Sequence, residues 1–177
     1  VGGIYQYSIS IIKALEILNK KKLFDVRYFY TNKIWNHEIP KFGNKFYIRK
    51  SITLKILRKL LYLFIPYKKR YFFLSEYLNE EIKVLNKSDC DLIIFPSQNI
   101  ATYQIKGKKS LSTIHDLMFK FYPQCSDFNK KIIFERNVHY RNIIKFSSAI
   151  LVDSELGKKK INKFYKLNLK KVFTLPF

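Results

Sequence analysis

Four short strand-like runs, parted from one another by longer stretches of other pattern, most narrow what this chain can fold into. They are Cys90–Pro96, Lys109–Leu117, Ser148–Asp153 and Lys171–Leu175. Cys90–Pro96 and Ser148–Asp153 are apolar without polar alternation and read as strands covered on both faces, while Leu111, Thr113 and Ile114 supply the strand-forming bulk of the second run. The stretches between them carry helical spacing. Ile132, Ile133, Val138, Ile143 and Ile144 supply the apolar positions of a helix that Asp127 can cap and that ends near Phe146. Ser154 can cap a second, from Glu155 to Tyr165, in which Gly157 is a mild defect. Strands that alternate with helices in this way predict an α/β fold with a mostly parallel sheet.

The first half of the chain continues the alternation less clearly. Ile9, Ile12, Leu15, Ile17 and Leu18 place a helix over residues 5–20, entered through Gly2 and Gly3. A glycine pair before a helix lets backbone amides approach a phosphate at the positive helix end, or simply makes a tight turn. Val26, Tyr28 and Tyr30 alternate with Arg27 and Phe29 as a strand over residues 24–30, and a short strand at 45–48 can follow. Residues 52–73 form a basic amphipathic stretch. Leu54, Ile56, Leu57, Leu60, Leu61, Leu63, Phe64 and Ile65 make a broad apolar surface flanked by Lys55, Arg58, Lys59, Lys68, Lys69 and Arg70, and Pro66 ends or kinks it. Such a helix can lie on an anionic membrane or pack on a core with its basic side in water. A separate helical piece follows over residues 75–85.

At 177 residues the chain can bury one core, and with 47% hydrophobic residues it is not a disordered segment. The net charge of +21 predicts attraction to an anionic partner. Cys90 and Cys125 stand far apart without metal spacing and read as free buried thiols of a reducing compartment. No apolar run reaches the roughly 20 residues of a membrane-spanning helix. Val1 opens the chain without a methionine and Phe177 closes it just past a strand, which reads as a piece of a longer protein.

In an open parallel sheet, ligands bind beyond the carboxyl ends of the strands. His115 and Asp116 end one strand there, Ser97-Gln98-Asn99 follow another, and Asp153-Ser154 close a third. An imidazole and a carboxylate so placed can hold or accept from a hydroxyl. They can equally be a half-buried structural histidine and a cap for the next segment.

Read together, Gly2-Gly3-Ile4-Tyr5, Asp91-Leu92-Ile93-Ile94-Phe95-Pro96, Ser112-Thr113-Ile114-His115-Asp116-Leu117 with Tyr122-Pro123, Ile150-Leu151-Val152-Asp153-Ser154 and Val172-Phe173-Thr174-Leu175-Pro176 resemble the amino-terminal half of a family-four retaining glycosyltransferase of the GT-B fold. The resemblance implies a single Rossmann-like three-layer domain over residues 1–177. Its first strand and the donor-binding carboxyl-terminal domain would lie outside the chain, so the fragment alone is expected to be inactive. It implies a nucleotide-sugar donor and a glycan or lipid-linked acceptor, in cell-envelope polysaccharide or lipopolysaccharide synthesis at the inner face of the cytoplasmic membrane. Gly2 and Gly3 resemble the loop that meets the donor diphosphate, and His115 the cleft histidine near the transferred sugar. Tyr5, Ser97, Asp116, Asp153 and Ser154 correspond to acceptor or cleft positions. The fold that the resemblance implies works without a divalent ion, so neither a metal nor another cofactor is expected. Gly2, His115 and Ser154 should then share one rim. Two other classes stand beside this one. The charge and aromatics suit a nucleic-acid binder, although the lysines are dispersed and no binding motif is present. The fold could also serve a non-catalytic membrane-associated protein.

Overall fold

A computed structural model describes residues 2–41, 43–66, 78–125 and 129–176. The chain forms two compact units, Val1–Lys87 and Ser88–Phe177.

The first unit opens with helix α1 (Gly3–Lys20), entered from Gly2 in extended conformation. Tyr7, Ser8 and Ile11 form its buried face, while Ile17, expected on that face, is exposed. The buried Ser8 hydroxyl donates to the Ile4 carbonyl at 2.8 Å, so it carries no unmet polar cost. Strand β1 (Arg27–Tyr30), the short helix α2 (Trp35–Glu38) and strand β2 (Asn44–Tyr47) follow. β1 and β2 pair in parallel, Phe29 opposite Phe46 and Tyr30 opposite Tyr47. Those register partners meet as ring pairs at 5.0 and 5.6 Å. Val26, Tyr28 and Ile39 form a small core with Ile12, Leu15, Tyr30 and Trp35 against it. Helix α3 (Ile52–Phe64) starts at Ser51, whose hydroxyl accepts the Leu54 amide at 3.3 Å. It stops two residues before Pro66, with Ile65 already extended as a pre-proline residue must be. Helix α4 (Glu80–Lys87) closes the unit, its first amides received by Asn79.

The second unit holds a four-stranded sheet of β3 (Leu92–Phe95), β4 (Lys109–Thr113), β5 (Ala149–Val152) and β6 (Val172–Thr174). The strands lie in the order β3-β4-β5-β6 and every pairing is parallel. Helices flank the sheet: α5 (Met118–Phe121), α6 (Lys130–Phe146) and α7 (Glu155–Tyr165). This is a mixed α/β architecture with parallel sheets, consistent with a Rossmann-like three-layer fold, as the alternation of strand and helix predicted. The core joins Ile150, Val152 and Val172 of the sheet to Phe119, Tyr140, Ile143 and Ile161 of the helices. Gly107 enters β4 in the left-handed region (φ 68°), where a side chain would be strained.

Three local expectations need correction. Asn129 caps α6, its side-chain oxygen receiving the Ile132 amide at 2.9 Å, one turn-start later than anticipated; Asp127 lies outside the described residues. The reason is that an Asx side chain caps only from the position that leaves the helix extended, and here Asn129 has that backbone (ψ 165°). Gly157 is no defect: a Cβ there would come within 3.1 Å of the Asp153 carboxylate and 3.3 Å of the Ser154 hydroxyl. Cys90 and Cys125 are free, as expected, but Cys90 is only half-buried and Cys125 is exposed.

Candidate functional site

Because the four strands of the second unit run the same way, the segments that leave them emerge at one edge of the sheet. Ser97 follows β3, His115 and Asp116 follow β4, and Asp153 and Ser154 follow β5. Pairing persists past the strand ends: the Ile114 amide reaches the Leu151 carbonyl at 2.9 Å, and the Leu175 amide the Val152 carbonyl at 2.8 Å. The ladder is thus continuous up to the residues that leave this edge.

The β3 and β4 exits are bound to each other. The His115 Nε2 lies 2.9 Å from the Pro96 carbonyl. A carbonyl oxygen can only accept, so Nε2 carries a proton in this contact. Within β4, Thr113 donates to the Phe95 carbonyl at 2.9 Å, and Ser112 meets Thr102 at 3.2 Å. These hydroxyls are buried and satisfied, which explains polar residues in an interior strand.

Tyr140 of α6 completes the link. Its hydroxyl receives the Gln98 side-chain amide at 3.1 Å and donates to the Asp116 carbonyl at 3.1 Å, so one phenol holds both exits. Burial, and after it the Asp116 charge, push this phenol above its usual range, and it keeps its proton. The neighbouring His139 is driven the other way by burial, down to about 4, against a hydrogen bond with the Gln98 backbone that raises it. Its ring packs edge-on against Tyr103 at 5.8 Å.

Asp116 accepts the Met118 amide at 2.9 Å and faces the Arg136 guanidinium at 4.0 Å. It orders the start of α5, with its side chain half in solvent. Ser154 is the cap of α7: its hydroxyl accepts the Gly157 amide at 3.0 Å and meets the Asp153 carboxylate at 3.2 Å.

In the first unit, Gly2 precedes α1 and Gly3 is its first residue. A Cβ at Gly2 would meet nothing within 4 Å, and its φ of −88° suits any residue. Neither packing nor backbone therefore demands a glycine there. The Tyr5 hydroxyl donates to the Glu38 carboxylate, and its ring stacks on Trp35 at 5.3 Å. Lys55, Arg58 and Lys59 lie on α3, whereas Lys68, Lys69 and Arg70 lie outside the described residues.

The second unit thus brings Ser97, His115, Asp116, Asp153 and Ser154 to one sheet edge, while Gly2, Gly3 and Tyr5 belong to the first. Sequence reading missed Arg136 and Tyr140. Their spacing from Ile143 (i, i+4, i+7) marks one face of α6, which was the available signal. Among the described residues, no three His, Cys, Asp or Glu side chains gather as a metal-holding group. Comparison with protein-family models, curated proteins and solved structures finds no match for this chain.

Proposed function

We propose that this chain is the acceptor-side domain of a two-domain glycosyltransferase. In its particular form, the reading is a retaining enzyme of the GT-B type that moves a sugar from a nucleotide-sugar to a glycan or lipid-linked acceptor. Envelope polysaccharide synthesis at the inner face of the cytoplasmic membrane is the setting this reading gives it. The observation that carries the proposal is the tying of the β3 and β4 exits around His115, at the carboxyl edge of an all-parallel sheet. Ligands of open α/β sheets bind at that edge. Transfer with a diphosphate leaving group needs developing negative charge stabilised, and backbone amides at a helix start can do so. Gly2 supports this part: it stands at such a start, and a ligand's close approach remains a reason for a residue without a side chain.

In this mechanism His115 borders the transferred sugar, its ring fixed by the Pro96 carbonyl, and Asp116 keeps the loop in place from the Met118 amide. The test is turnover of the full-length protein with a panel of nucleotide-sugars, in wild type, His115→Ala and His115→Gln. A glutamine amide can still donate to the Pro96 carbonyl. Loss of one positioned group of this kind costs roughly 100-fold or more in kcat, and both variants are expected to show it. Unchanged turnover in His115→Ala removes the residue from the mechanism, and recovery in His115→Gln assigns it to loop order alone.

A further inference from the structure

Helix α3 turns its apolar side outward. An amphipathic helix that serves a core hides that side, yet no residue of α3 is buried. Ile52, Leu63 and Phe64 are 75%, 78% and 83% exposed, and Ile56, Leu57 and Leu60 are about half exposed. At about 100° per residue these six side chains cover about 140° of the helix circumference. Leu54, Arg58, Leu61 and Tyr62, on the opposite side, are the half-buried ones. The sequence alone left a core-facing and an outward-facing apolar surface equally open; the exposure pattern is the outward one.

The charge of the same helix selects a partner. Lys55 and Lys59 are exposed and lie along one border of the apolar arc. The helix contains no carboxylate, and the chain carries a net +21. Thirteen residues make a helix of about 20 Å, shorter than the roughly 30 Å hydrocarbon core, so α3 can lie on a bilayer but not cross it. Among the described residues no helix is long and apolar enough to cross a membrane. We propose that α3 docks in the plane of an anionic phospholipid surface, with Ile52, Ile56, Leu60, Leu63 and Phe64 entering the acyl boundary and Lys55 and Lys59 meeting headgroup phosphates. The proposal rests on the membrane-side setting suggested above but not on the transfer chemistry.

The experiment is co-sedimentation of the full-length protein with vesicles of phosphatidylcholine alone and of phosphatidylcholine with an equal part of phosphatidylglycerol. Wild type is expected to pellet with the anionic vesicles. The exposed positions allow substitution without touching a core, so Leu63→Gln with Phe64→Gln should fold as wild type and lose at least about 10-fold in partitioning. Lys55→Gln with Lys59→Gln should lose about 25-fold on the anionic vesicles, about fivefold for each charge, and little on the neutral ones. Equal pelleting of wild type and the apolar double variant overturns the proposal. So does a wild-type dimer, seen by analytical ultracentrifugation, that this variant abolishes without any vesicle binding: the face then belongs to a second copy. Sugar transfer in detergent solution, measured alongside, reports on the enzymatic reading separately.

Discussion

At the scale of single residues, the fold holds one imidazole in its uncharged form. The folded pKa of His139, about 4, lies below the 6.5 of an unperturbed ring. The unfolded chain therefore binds the proton more readily. The stability this residue allows is complete above about pH 6.5 and is lost as pH falls toward 4, by up to about 3 kcal/mol. Urea unfolding across that range should show the decline, and His139→Phe should flatten it. A His139→Phe profile as steep as wild type would assign the acid sensitivity to other groups. Ser154 makes a second residue-level prediction. Because its hydroxyl caps α7, Ser154→Ala should cost about 1 kcal/mol, or about 3 °C in Tm. That loss should be the same with and without nucleotide-sugar if the hydroxyl serves the helix alone. Sequence alone made Ser154 visible as a cap, because serine before a helical pattern has a specific mechanism. It did not make the tight surroundings of Gly157 legible, since they come from the conformation of two preceding side chains.

At the scale of elements, α6 is more than a cover for the sheet. Through Tyr140 it holds the exits of β3 and β4 at Gln98 and Asp116, which stand 18 residues apart in sequence. Tyr140→Phe keeps the packed ring but removes both hydrogen bonds. It should destabilise the unit by roughly 1–2 kcal/mol, and amide exchange should accelerate over residues 97–99 and 116–118 while the strands stay protected. Exchange that rises evenly over the whole unit would mean that the phenol serves global stability rather than these two loops. The apolar spacing of α6 predicted that it would be a helix, yet its polar contacts could not be read, because they depend on which loops the sheet places beneath it. For α3 the reverse holds. Its apolar and basic stripes were plain in the sequence, but periodicity does not say which way a helix is turned.

At the scale of the molecule, the alternation of apolar runs and helical periods was enough to foretell parallel sheets, because parallel neighbours require a crossover and helices supply it. Strand positions followed from composition to within a few residues; the shared edge followed from parallelism; the ties between loops needed coordinates. The charge of +21 is spread over both units and says only that anions are attracted. The arrangement of β3 to β6 has a wider meaning for how such a protein can diversify. Ladder bonds, apolar side chains and the satisfied hydroxyls of Ser112 and Thr113 sustain the strands along their length, whereas the candidate site residues lie past their tips. Under the proposed function, exchanges at tip positions outside these ties change the contacts offered to a ligand, whereas exchanges at Gln98, His115, Asp116 or Ser154 also loosen the loops they hold.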